Sequence, residues 1–276
     1  MAISQLNIDS VVVRLATTED DVRASQRLRY RVFYEEYKAI PNEEMARERR
    51  DIDDFDSVTD HLIVVDNAIK DPQDRIVGTY RFLRHEQADK YGRFYTSDEY
   101  DITPLLNSRS RLMELGRSCV LADYRTRPVM QLLWEGIIEY MLDHKIGTMF
   151  GCASLYGTDT NALSQQLAYL YHYHLAPPEI CPRALPNCIT EMNMHPKDSL
   201  DAKTIFQSLP PLIKGYLRVG CFIGDGAVVD SQFNTTDVCI VLPIEKFPAR
   251  YRNHYARKIN RPFPDDLSNT YLSAPL

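Results

Sequence analysis

RLMELGRSCVLADYRTRPVM, residues 111–130, decides how the rest of the chain is read. Its first half is an apolar strand over 112–121 that carries two opposite charges, Glu114 and Arg117. Its second half opens an amphipathic helix, with Thr126 placed to cap it and Pro128 in the first turn, where a missing N–H costs nothing. A strand passing through a polar turn into a helix is a ready anion seat, because the first helical N–H groups lack partners. Val129, Leu132, Leu133, Ile137, Tyr140 and Met141 recur at helical spacing, and Gly147 is expected to close the helix. Simple alternation places Glu114 and Arg117 on opposite faces of the strand.

The flanking segments supply the remainder of a mixed α/β sheet. A short strand at 11–15 leads into a helix over 17–37, with hydroxyl caps and acids in its first turn. Ala24, Leu28 and Val32 share one face of it, and Arg29 and Phe33 lie four apart on a common side. An acidic, irregular segment follows and ends at 51–56. Strands at 61–66 and 75–83 form a hairpin. Residues 84–110 have little periodicity and read as a long loop with one helical turn, a length more often functional than idle. Past the central helix come a strand at 148–155, a helix at 160–172, a strand at 189–194 and a helix at 212–219. Asp225-Gly226 reads as a turn between strands at 221–223 and 227–229, and 238–242 is a final strand. Nothing resembles a linker or repeat, so residues 1–276 are read as one domain, with 245–276 a basic helix and C-terminal tail.

Bulk properties narrow the function. With 276 residues, 44% hydrophobic and 25% charged, the chain can bury a full core. A net charge of −6 argues against nucleic acid as a partner. The six cysteines form no C-x-x-C pair and suit buried, reduced thiols. No apolar run approaches the roughly 20 residues that span a bilayer, and the N-terminus lacks signal-peptide features. Cytoplasmic placement is the default expectation.

LRYRVF (28–33), DDFD (53–56), GTYR (78–81) and ELGR (114–117) occur in that order. Together they resemble the acyl-homoserine-lactone-synthase branch of the GNAT acyltransferases. LPPLIKGYLRVG (209–220) and FNTTD (233–237) bring the chain closer to bacterial ornithine N-acyltransferases, and the similarity spans roughly residues 11–255. The resemblance implies a GNAT-like fold and transfer of a (3-hydroxy)fatty acyl group from acyl carrier protein to the α-amino group of ornithine, giving lyso-ornithine lipid. It implies no cofactor beyond the donor's phosphopantetheine. Relatives that use lysine, glycine or an aromatic amine keep another N-acyl amino acid open. A homoserine-lactone synthase, or a non-catalytic protein that binds acyl carrier protein or membrane, are further alternatives.

Residue by residue, the resemblance puts the pantetheine arm against Cys119, Val120 and Leu121, with Arg125 and Arg127 beside it. The GNAT pyrophosphate loop is glycine-rich, whereas here Pro128 and Met130 stand where glycines would. Without glycine the backbone cannot approach a pyrophosphate closely, which favours a donor with a single phosphate. Glu114 is the candidate general base, with Arg117 beside it in the motif; the competing reading makes Glu114 a buried partner of an arginine. Asp53 and Asp56 are candidates for the cationic groups of the amino acid, and Arg29 or Arg81 for its carboxylate, with Phe33 alongside. A structural salt-bridge network beneath the site is the equal alternative. Ser118 or Cys119 as acyl-enzyme lacks a His/Asp partner in sequence. His172, His174, Cys181 and Cys188 match no common zinc spacing, so no metal is expected. Finally, Lys246, Arg250, Arg252, Arg257, Lys258 and Arg261 form a basic run without an acid. It is read as a dock for acidic acyl carrier protein or for anionic lipid at the inner membrane face, against a solvated helix face.

Overall fold

Residues 6–264 are described by a computed structural model, without the side chains of residues 6–8 and 127. The last part of the expected C-terminal tail, 265–276, lies outside the described residues. In chain order the elements are β1 (Leu6–Ile8), β2 (Val11–Leu15), α1 (Glu19–Tyr30), α2 (Glu43–Glu48), β3 (Asp60–Asp66), β4 (Ile76–Arg84), α3 (His85–Tyr91), β5 (Tyr100–Asp101) and α4 (Thr103–Asn107). Then follow β6 (Leu112–Val120), α5 (Arg127–Asp143), β7 (Thr148–Tyr156), α6 (Ser164–His174), β8 (Arg183–Ala184) and β9 (Ile189–Thr190). The chain continues through α7 (Ala202–Ser208), α8 (Pro211–Arg218), β10 (Phe222–Asp230), β11 (Thr235–Pro243) and α9 (Ala249–Lys258). Contacts divide the chain into two compact units, neither of them a contiguous stretch.

The first unit draws on residues up to 92, 113–146 and, among the described residues, 252–264. Its strands β1, β2, β3, β4 and β6 pair antiparallel in that order. Val12, Ile63, Val65, Ile76 and Cys119 cluster with Ala24, Leu28 and Val32, so α1 covers one face with the stripe its spacing predicts. The helix does not run on as a plain α-helix, because Arg31–Glu36 is a π-helix. On the opposite face α5 comes close at Gly136, where a Cβ would lie 2.9 Å from a Leu62 methyl. Phe82 and Tyr140 meet there with ring centroids 4.7 Å apart and the planes tilted by 48°. The expected stop at Gly147 falls earlier. Lys145 takes the left-handed position at φ 54°. The Ile146 N–H returns to the Met141 carbonyl at 2.9 Å and the Lys145 N–H to Leu142 at 3.3 Å, a Schellman close.

The second unit comprises residues 93–112 and 147–251. β11 pairs antiparallel with β7 on one side and β10 on the other, and every residue of β11 is buried. β8 and β9 extend β10, and β5 pairs with β8. The fully buried Tyr100 hydroxyl lies 3.0 and 3.1 Å from the carbonyls of Gly226 and Asp237. Asp225-Gly226 is not a hairpin turn: β10 runs straight through it with a register shift between Ile223 and Ala227 and Gly226 at φ 86°. A glycine at positive φ suits a bulge as well as a turn, and pairing with β11 selects the bulge.

Two further expectations change. The supposed loop over 84–110 holds α3, α4 and the β5 bridge. α3 owes its start to the Gln87 carboxamide, which accepts the Arg84 N–H at 2.9 Å, and its end to Gly92 at φ 110°. The acidic segment before Asp51 likewise contains α2, with Asn42 accepting the Met45 N–H at its start. Such short helices rest on their caps, so they carry little apolar periodicity.

Candidate active site

β4 and β6 pair with Leu83 opposite Glu114 and Arg81 opposite Gly116, but Thr79 is opposite Cys119. Arg117 and Ser118 therefore share Tyr80 as their single partner, a β-bulge with one extra residue. Arg117 sits at φ 49°, a left-handed conformation that costs an L-residue roughly 1–2 kcal/mol. The bulge resets the alternation. Glu114 and Gly116 share the sheet face of Arg81, and Arg117 turns into the same charge cluster as Arg81 rather than away from it. This corrects the opposite-face expectation, because alternation assumes an unbroken pleat.

That cluster interleaves three arginines with three aspartates. Arg29, with no exposed surface, makes a two-pronged pair with Asp56 at 2.8 and 2.7 Å. Its Nη2 also donates to the Asp51 carbonyl at 2.5 Å. Asp51, equally buried, brings one oxygen within 2.7 Å of Arg29 Nε and 3.1 Å of Arg117 Nε. These two contacts are charge contacts, too bent for hydrogen bonds. The other Asp51 oxygen accepts the Tyr34 hydroxyl at 2.9 Å. Arg117 Nη2 donates to Asp53 at 3.1 Å, and Arg81 Nη1 donates to both Asp53 and Asp56. Gln26 completes Asp56 at 2.8 Å. Phe55 lies beneath Arg81, with its ring centroid 5.7 Å from the guanidinium carbon.

The electrostatics follow from this geometry. Burial by itself raises the Asp51 and Asp56 carboxyls, and the arginines around them reverse it, leaving both below the ordinary carboxylate value. Burial, and then the Arg29 charge, hold His61 below its ordinary value, so the ring is neutral at pH 7. Burial pushes the Cys119 thiol up, which disfavours a thiolate nucleophile there. Glu114 is 4% exposed.

The end of β6 is fixed by its pairing with β4. The Leu121 N–H donates to the Val77 carbonyl at 2.9 Å, and in an antiparallel ladder this directs the backbone groups of Val120 away from β4. Arg125 Nε donates to the Val120 carbonyl at 2.9 Å, and its two Nη atoms meet both Glu36 oxygens at 2.5 and 2.6 Å. α5 then begins, with Thr126 extended at the cap position and making no side-chain cap bond, in contrast to the expected hydroxyl cap. The Arg127 side chain lies outside the described residues.

Of the sequence candidates, Arg29, Asp53, Asp56, Arg81 and Arg117 come together in one network, with Glu114 on the same sheet face. Phe33 joins the apolar cluster containing Cys119 and Leu121. Arg250 and Arg257 are exposed, whereas Arg252 is half-buried. Asp51 and Glu36 were missed. Asp51 lies in the acidic segment that ends at 51–56, but nothing in that segment ranks its acids by depth. The four residues considered for zinc turn to different partners: His172 to the His195 carbonyl, His174 to the Tyr169 hydroxyl, and Cys181 and Cys188 to backbone carbonyls.

The model of the acetyltransferase (GNAT) domain family matches residues 28–135. An L-ornithine N(alpha)-acyltransferase of Brucella abortus (strain 2308) is 47% identical over 257 residues, 92% of both chains. Another, from Agrobacterium fabrum, is 45% identical across 92% of this chain and 88% of its own. Among solved structures, a CoA-dependent acyl-homoserine lactone synthase, BjaI, with SAM and isopentyl-CoA, covers 89% of this chain and 85% of its own at 13% identity and a TM-score of 0.48.

Proposed function

This chain belongs to the L-ornithine N(alpha)-acyltransferase family, and from that premise we propose that it moves a (3-hydroxy)fatty acyl group from acyl carrier protein to the α-amino group of ornithine, giving lyso-ornithine lipid. It is an acyltransferase of mixed α/β, GNAT type. The observation that carries the reading is the near-complete overlap with ornithine-acylating relatives, 92% of the chain at 45–47% identity.

In the proposed reaction Glu114, directly or through a water, takes a proton from the ornithine α-ammonium. The freed amine attacks the thioester carbon; the new C–N bond forms, the C–S bond breaks, and the pantetheine thiol leaves with a proton. Backbone N–H groups at the end of β6 that point away from β4, Val120 foremost, meet the oxygen that becomes negative. The first turn of α5 receives the donor's single phosphate. Because the thioester is already activated, no resident cofactor is needed. Within the network Asp53 keeps 19% side-chain exposure, the most of the three aspartates, and is assigned to the substrate's cationic groups. Arg29 and Asp56 hold it and Arg81 in place. Arg250, Arg252 and Arg257 are assigned to docking acidic acyl carrier protein by charge complementarity, and contact with an anionic inner membrane face would use the same residues. Among the described residues no helix is long and apolar enough to cross a membrane.

The test combines the purified chain with one 3-hydroxyacyl carrier donor and a panel of amino acids, with products identified by mass spectrometry. N-acyl ornithine is expected to dominate; a preference for glycine or an aromatic amine would overturn the acceptor. Glu114→Gln should lower kcat by about 10²–10⁴-fold with an unchanged melting temperature. Full activity would remove it as the base.

A further inference from the structure

We propose that Glu36 is a positioning residue for the acyl-donor edge, holding the Arg125 guanidinium against the Val120 carbonyl. The inference rests on the reading of β6 as the donor's seat. It also changes the part given to Arg125, from a group beside the pantetheine arm to a structural clamp.

The guanidinium of Arg125 is occupied on every side. Nε donates to Val120 at 2.9 Å, and the two Nη atoms form a parallel fork with Glu36. The Tyr37 ring centroid lies 5.4 Å from its central carbon. A fork-to-fork pair fixes the guanidinium plane as well as its place, which a lysine could not do. Arg125 and Glu36 are each about one-third exposed, and the cation and anion neutralise each other before any donor arrives.

What this clamp holds is the Val120–Leu121 peptide. Val120 is the residue whose backbone groups point away from β4, and its carbonyl is the one Arg125 takes. A thioester oxygen approaching the Val120 N–H would be repelled by an unsatisfied carbonyl on the same edge. Bonding that carbonyl to Arg125 removes the competing lone pairs and fixes the strand end where the turn at 122–124 begins.

The π-helix brings Glu36 to this place. The Tyr37 N–H reaches back to Val32 at 3.0 Å, five residues, rather than four. An ordinary α-helix turns about 100° per residue, so removing the extra residue would rotate Glu36 away from Arg125. Single π turns inside α-helices recur at functional sites, and here the widened turn has an identifiable product, the fork.

The test is a double-mutant cycle read by steady-state kinetics, varying the acyl-carrier donor at saturating ornithine and then the reverse. Glu36→Gln and Arg125→Lys should each raise KM for the donor about tenfold, the scale of one charge-assisted hydrogen bond. KM for ornithine and the melting temperature should stay put, and the double variant should be no worse than the poorer single one. Glu36→Gln behaving as wild type while Arg125→Lys fails would overturn the proposal, since Arg125 would then meet the donor unaided. Independent, multiplying effects would overturn it as well. A coupled rise confined to KM for ornithine would instead refute the donor assignment of β6 while leaving the Glu36–Arg125 coupling intact.

Discussion

Asp51→Asn isolates the charge that ties α1 to the bulged strand. The substitution preserves shape and leaves an amide oxygen to accept the Tyr34 hydroxyl. It removes one negative charge from between Arg29 and Arg117, whose side chains are 0% and 13% exposed. Taking one partner from a buried ion pair costs about 3–5 kcal/mol. Each arginine keeps a second aspartate, Asp56 for Arg29 and Asp53 for Arg117, so the lower end, about 3 kcal/mol, is expected. For a chain of this size 1 kcal/mol moves the melting temperature about 2–4 °C, which gives a fall of about 6–12 °C by circular dichroism at pH 7. Arg23→Gln, which breaks the exposed helical pair with Glu19, should cost no more than about 0.5 kcal/mol and serves as the comparison. A fall of less than about 2 °C for Asp51→Asn would refute the view that this interior depends on its charge balance.

Three more predictions follow from local geometry. At position 117 glycine should be better tolerated than alanine by about 1 kcal/mol in chemical denaturation, reversing the usual strand preference, because φ there is 49°; alanine equal or superior would mean that the bulge is not held in that conformation. Lys145→Gly should raise the melting temperature by about 2–4 °C, since glycine accepts the left-handed helix close without strain, and a fall would count against that close. His61, Asp51 and Asp56 all have folded-state pKa values below their unfolded ones, so the unfolded chain binds protons first as pH falls. Stability should therefore be complete above about pH 6.5, decline as His61 and the similarly lowered His144 and His174 are titrated, and decline again below about pH 4. In urea melts across that range His61→Gln should shrink the first decline and spare the second; an unchanged first decline would exclude His61.

Elements that bury one continuous face were legible from periodicity. The stripe Ala24, Leu28, Val32 and the run from Val129 to Met141 both lie against the sheet, because a repeat near 3.6 can satisfy a flat apolar surface only as a helix. Where a glycine or a polar stretch allowed two structures, local reading chose wrongly. Asp225-Gly226 fits a turn and a bulge equally well, and α3 and α4 depend on caps that a periodicity scan does not weigh.

The charged residues divide along the same line. Their order along the chain placed Arg29, Asp53, Asp56, Arg81 and Arg117 in one family pattern, since residue types at those spacings are written directly in the primary structure. Their pairing is not. Asp51 meets Arg29 across 22 positions and Arg117 across 66, and Glu36 meets Arg125 across 89. Whether a carboxylate is exposed or wholly buried depends on which distant cations the fold brings to it, because an unpaired charge cannot stay in the interior. The face on which Arg117 lies was likewise settled by pairing with β4. One extra residue opposite Tyr80 reverses the alternation, and no residue in ELGRSC, 114–119, announces it.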